Sequence, residues 1–145
     1  MRAEIFAVFT ALCWGVGSLL EKKGVKLGGF SPVMGTTIRT AFSLLLLAFV
    51  SYPYWDQLRK AGPASISLIA VGGGVIAGGL GIIFLYTGLK SGNLSTVMTV
   101  AFCLAPVVGA LLGYVVLHER LSPLQLLGVV LCIAGATLVS YFRPA

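Results

Sequence analysis

The sequence predicts an all-α integral membrane protein that crosses the bilayer five times, and three observations predict it. Hydrophobic residues make up 58% of the chain and charged residues only 10%, with a mean hydropathy of +1.02. A soluble domain of this size has no interior for so much apolar surface. The apolar residues also gather into long uncharged runs: Ile5–Leu20, Val33–Tyr54 (broken only by Arg39), Ala61–Leu89, Ser91–Leu117 and Leu121–Phe142. A bilayer core about 30 Å thick needs roughly 20 apolar helical residues. Finally, the runs are continuously apolar, whereas barrel strands alternate in and out with period two. In lipid only helices and closed barrels satisfy the backbone, so the runs are helices.

The spans expected are 4–24, 33–54, 64–89, 94–117 and 123–142. The first run is too short to cross unaided, so its helix should continue through Glu21 to about Gly24. Arg2 resembles the start of a secretory signal, but no A-x-A cleavage site follows, and the first run is expected to be a retained helix. Ser31-Pro32 and Ser122-Pro123 place an N-cap hydroxyl before a proline at the first helical position of spans two and five. Gly62-Pro63 opens span three and Asn93 should cap span four. The connections, of about 3 to 10 residues, predict antiparallel neighbours. No soluble domain is inserted, so function should lie within the helix bundle.

Small residues punctuate the spans. Span three carries Gly72, Gly73, Gly74, Gly78, Gly79 and Gly81, with Gly74 and Gly78 forming a G-x-x-x-G pair. Ala105, Gly109 and Gly113 recur at four-residue spacing in span four, and Gly128 and Gly135 lie in span five. Small faces let helices approach closely in lipid, and so many glycines also ease bending or sliding. Pro106 should kink span four and free a carbonyl, a candidate gating point. The segment Gly24–Met34 echoes Gly88–Met98: glycines, lysine, serine, valine and methionine recur in register. Two related hairpins followed by a fifth helix explain the echo, as does convergence of two similar turns.

The net charge of +6 comes from loops and helix ends and reads as anchoring to anionic headgroups. No stretch mixes basic and aromatic residues as a nucleic-acid site does. Cys13, Cys103 and Cys132 lie within spans, with no C-x-x-C pairing and a single histidine, His118. They read as small apolar packing residues, with no disulfide framework or metal signature. No nucleophile–base constellation or P-loop occurs, so neither an enzyme nor a bound cofactor is expected.

Polar groups inside a membrane are costly and are the first functional candidates. Glu21 should lie roughly one turn below the surface, and Arg39, seven residues past Pro32, about 10 Å deep on the next helix. A Glu21–Arg39 ion pair across the first hairpin satisfies both, either as a structural lock or as part of a coupling site, with Lys22 beside it snorkelling to headgroups or joining that site. A second set could bind substrate: Trp14 and Ser18 on one face of span one, Tyr86 on span three, and Thr99 and Phe102 on span four. Trp14 lies mid-span, away from the interfacial belt. Tyr86 lies nearer an end, where an interfacial anchor competes with a binding role. In His118-Glu119-Arg120, Glu119 should pair with Arg120 or cap span five.

At these residues the chain resembles one EamA-type repeat of the drug/metabolite transporter superfamily. The resemblance runs through Trp14-Gly15, Lys22, Ser31-Pro32, Arg39, Tyr86-x-x-Leu89-Lys90-x-Gly92, Pro106, Glu119-Arg120-Leu121, Gly128 and Gly135. It implies that 1–145 form a single EamA-type transmembrane domain. Most EamA-type chains are similar to two such repeats, whereas this one resembles the five-helix, single-repeat branch. The implied function is secondary transport, export or exchange of small organic metabolites such as amino acids or their derivatives, by alternating access. The rivals are a non-transporting packing or accessory subunit and a cation exporter of the small multidrug type. Span one is distantly similar to those pumps, with Ser18 taking the place of their mid-helix glutamate and Glu21 displaced toward the helix end.

Alternating the loops puts Arg2, Arg59, Lys60 and Arg120 on one face, and Lys22, Lys23, Lys26, Lys90 and Arg143 on the other with Arg39 near it. Orientation follows the difference in Lys/Arg count, and four against six is a weak bias. The expected partners are therefore a small-molecule substrate, the lipid bilayer of the inner (plasma) membrane, and a second copy in an antiparallel homodimer with dual topology. That dimer has the inverted symmetry that longer transporters carry within one chain.

Overall fold

The computed structural model describes residues 3–142; Arg2 and Arg143, counted in the charge balance, lie outside them. The elements are α1 (Ala3–Gly28), α2 (Pro32–Ser51), a 3-10 turn (Tyr52–Tyr54), α3 (Trp55–Lys60), α4 (Pro63–Ile69), a π-helical stretch (Ala70–Gly81), α5 (Ile82–Ser91), α6 (Leu94–Val116) and α7 (Pro123–Tyr141). They join into five stretches long and apolar enough to cross a membrane: Ile5–Gly28, Pro32–Lys60, Pro63–Ser91, Leu94–Val116 and Pro123–Tyr141. The fold class is all-α, and no strand occurs among the described residues.

The first helix is longer than the expected end at Gly24. Lys22, Lys23 and Lys26 are good helix formers, and Lys26 in the last turn suits the negative end of the helix dipole. What stops it is Gly29, which adopts a left-handed φ of 62°. The amide of Gly29 donates to Lys26 O (3.4 Å) and that of Phe30 to Val25 O (3.2 Å), the paired bonds of a Schellman cap. Two residues later Ser31 Oγ accepts from the Met34 amide at 3.2 Å and Pro32 opens α2.

The second span also overruns its expected end at Tyr54. Pro53 tightens the chain into the 3-10 turn, after which α3 carries Asp56 in its first turn and Arg59 and Lys60 in its last, both favourable to the helix dipole. Trp55 Nε1 donates to Ser51 Oγ at 3.2 Å across this junction.

The third span departs most from expectation. Its glycine-rich centre winds as a 12-residue π-helix, a conformation normally confined to single turns. A Cβ on Gly78 would stand 2.7 Å from the Gly73 carbonyl oxygen, five residues back. The wide ring is open to this sequence because that Cβ is missing.

The chain gathers into two compact units, one within Val16–Lys90 and one within Met1–Gly15 and Ser91–Ala145. In the first, Val25, Leu85, Tyr86 and Leu89 are buried. Val25 and Leu89 occupy matching positions of the internal echo. The two turns nevertheless differ: the Ser31 side chain caps α2, whereas Asn93 holds the N-cap position of α6 without a side-chain hydrogen bond, two residues earlier in register.

In the second unit α6 and α7 pack along one another. Cys103 and Cys132 lie near one another across this hairpin. Pro106 lies inside α6, which is continuous from Leu94 to Val116. His118, at φ 56°, turns the chain back so that the Glu119 amide donates to Gly113 O at 3.0 Å. Glu119 therefore closes α6 and does not cap the next helix. Ser122 and Gln125 do that with a reciprocal capping box, at 2.8 and 3.2 Å.

Nothing lies within 4 Å of a Cβ built on Gly72, Gly73, Gly74, Gly109, Gly128 or Gly135.

Candidate functional site

Three side chains from separate helices of the unit within Val16–Lys90 converge. Glu21 projects from α1 and Arg39 from α2, with Arg39 Nε 2.8 Å from Glu21 Oε1. Tyr86 on α5 lines the same recess beside them. The pair is partly open, with Arg39 29% and Glu21 20% exposed, whereas Tyr86 is only 3% exposed. Tyr86 is thus a buried member of the cluster and not an interfacial anchor. Position near a span end suggested the anchor, but its helical face turns the ring inward.

Gly35 makes that inward seat available. A Cβ there would fall 2.6 Å from the Tyr86 ring and 3.1 Å from Val25 Cγ2. Gly35 and Arg39 are four apart and share a face of α2, so one face supplies both the space for the ring and the charge beside it. Opposite charges held together in a low-dielectric setting offset the cost of removing each from water.

The cluster opens on a recess of about 350 Å3. Val25, Phe30, Ile38 and Phe42 form its apolar walls, and Glu21, Arg39 and Tyr86 its polar end. Lys90 Nζ donates to the Phe30 carbonyl at 3.1 Å, tying the end of α5 to the turn that carries one wall. The arrangement can hold an amphipathic molecule carrying charge at one end.

The other candidates distribute as follows. Trp14 and Phe102 meet edge to face, with ring centroids 5.2 Å apart and an interplanar angle of 66°. Thr99 is half-buried one turn before Phe102 on α6, and Lys22 is half-buried on α1 beside Glu21. Ser18, 1% exposed, has a buried Oγ with no hydrogen-bond partner. It lies three residues before Glu21, on the same side of α1. A buried hydroxyl left unmatched costs about 1–3 kcal/mol, which keeps Ser18 among the candidate polar contacts. Among the described residues no group of three or more His, Cys, Asp or Glu could hold a metal ion.

Sequence reading missed Gly35, Ile38 and Phe42. The signal was there: with Arg39 they fall at i, i+3, i+4 and i+7, one face of α2. Phe30, in the turn, and Val25 carried no such periodic mark.

A model of the EamA-like transporter family matches residues 1–141. The chain belongs to the EamA-like transporter family. No curated protein and no solved structure matches it. With five spans in a chain of one repeat's size, this EamA-like protein is a multi-pass membrane protein of a transporter family.

Proposed function

We propose that this EamA-like chain is a secondary transporter that exports or exchanges small zwitterionic metabolites, amino acids or their derivatives, across the plasma membrane. The observation that carries the reading is the partly open Glu21–Arg39 pair at the end of an apolar-walled recess. A carboxylate and a guanidinium side by side complement a solute bearing both signs of charge. Its ammonium group would pair with Glu21 and its carboxylate with Arg39, a charge-assisted and directional contact. Exchange of this kind leaves neither protein charge uncompensated while the internal pair is apart. Ile38, Phe42 and Phe30 would take the substrate's side chain, and the unmatched Ser18 hydroxyl, one turn further along α1, is a second polar stop.

The pairing of Glu21 with Arg39 argues against a small-multidrug-type cation exporter, in which an acidic group must be left for protons and cations to share. An accessory subunit stays the rival reading, with the pair acting as a lock. Alternating access by one five-helix chain needs a partner to complete the walls of the pathway, and an antiparallel second copy supplies it. The open Gly109 side of α6 is one surface for that contact.

Flux into proteoliposomes is the test. Saturable uptake of at least one zwitterionic amino acid is expected, with Arg39→Gln reducing it tenfold or more. Absence of flux across a broad panel of metabolites would overturn the transport reading.

A further inference from the structure

A second recess lies at the junction of α2, α3 and α4, within the same unit but lined by other residues. Its volume is about 530 Å3, and Tyr54, Trp55, Leu58, Ile66 and Ile69 are among its walls. Gln57 and Ser65 also line it, but most of its wall is apolar, and Ser51 Oγ is engaged, accepting from Trp55 Nε1 at 3.2 Å and donating to Ala48 O at 3.4 Å. The space therefore suits hydrocarbon and offers little to a polar solute. Around it the chemistry changes sharply. Arg59 and Lys60 end α3, both exposed. Tyr52, Tyr54 and Trp55 are also exposed, the aromatic composition of headgroup depth. A short helix with basic residues at its end and aromatic and leucine side chains along it has the composition suited to headgroup depth.

We propose that this recess is a binding site for an anionic glycerophospholipid. One acyl chain lies along Trp55, Leu58 and Ile66, and the negatively charged headgroup rests on Arg59 and Lys60. Two features select this occupant. The paired basic residues complement a headgroup with net negative charge, which a phosphatidylcholine lacks. The apolar walls require a chain, which free phosphate lacks. The site is separate from the Glu21–Arg39 recess and does not rest on the transport reading.

Native mass spectrometry of the detergent-solubilised protein tests the site, with dioleoyl phosphatidylglycerol, dioleoyl phosphatidylcholine and glycerol 3-phosphate as probes. Retention of phosphatidylglycerol above the other two is expected. Arg59→Gln with Lys60→Gln should lower that retention by roughly fivefold per charge removed. Lys23→Gln, which removes an exposed charge from α1, should leave it unchanged. Ala70→Phe, which fills the recess from its wall, should lower retention with both basic residues in place. Equal retention of phosphatidylcholine, an equal loss from Lys23→Gln, or unaltered binding in Ala70→Phe would each overturn the proposal. Loss of lipid in Arg59→Gln/Lys60→Gln accompanied by a change in oligomeric state would assign the face to a second copy of the chain and overturn it as well.

Discussion

At the scale of single residues, the Glu21–Arg39 pair is both a stabilising contact and the main functional candidate, and the two roles separate by measurement. Removing one partner leaves the other charge uncompensated in a setting only a fifth to a third exposed. The cost of breaking a fully buried pair is about 3–5 kcal/mol, and the partial exposure here brings it down to about 1–3 kcal/mol. Glu21→Gln and Arg39→Gln should each lower the thermal midpoint in detergent, and the double variant should recover part of the loss. Strictly additive losses would mean that the contact carries no coupling energy. If instead Glu21→Gln abolishes flux at unchanged stability, its carboxylate acts in transport and not as a lock. Gly35 offers an independent probe of the same cluster. Gly35→Ala places a methyl 2.6 Å from the Tyr86 ring, and overpacking of this kind costs about 1–3 kcal/mol. Gly24→Ala, where a Cβ meets nothing within 4 Å, should be tolerated in the same thermal assay. Charges in lipid are conspicuous in a sequence because they are costly, and so Glu21 and Arg39 were legible. The burial of Tyr86 was not, because it depends on which face of α5 meets Gly35.

At the scale of elements, the π-helical centre of span three decides that face. A π turn takes in about one more residue than an α turn. Rewinding Ala70–Gly81 as α-helix would therefore rotate α5, and Tyr86 with it, by roughly half a turn relative to α4. Gly78→Ala puts a methyl against the Gly73 carbonyl at 2.7 Å and disfavours the π winding. Its expected effect is displacement of the Tyr86 ring from its seat against Gly35, so Gly78→Ala and Tyr86→Ala should each destabilise and their combination should fall well short of the sum. Full additivity would separate the winding from the cluster. Gly72→Ala, with open space at its Cβ, is the matched control. Composition showed that span three is rich in glycine but not how it winds, since glycine permits both forms. The helix caps were more legible: Ser31-Pro32 and Ser122-Pro123 act locally and need no tertiary partner.

At the scale of the molecule, the near-balanced charge count permits the two orientations that the proposed antiparallel pair requires. A single cysteine at Ala61, beside Lys60, in a chain with Cys13, Cys103 and Cys132 replaced, should react with an impermeant maleimide from both sides in comparable amounts. Cys103 and Cys132 are neighbours and are best replaced together. Labelling from one side only would leave a uniform topology, and any dimer would then be parallel. Adding two or three lysines to one set of loops should trap one orientation. Activity should vanish in each trapped form and return when both are expressed together.

The sequence by itself determined the membrane-spanning class, the five helices, most of their starts and the two intramembrane charges. Each of these follows from terms that act locally or along one helix: transfer of apolar runs into lipid, hydrogen bonding at a cap, and the cost of a charge out of water. Only the tertiary structure decided that Tyr86 joins Glu21 and Arg39, that Phe30, Ile38 and Phe42 wall a recess beside them, and that Ser18 is buried without a partner. Those outcomes depend on helix rotation. Rotation is set by the packing of side chains from distant parts of the chain, such as Tyr86 against Gly35, and not by the composition of any one span.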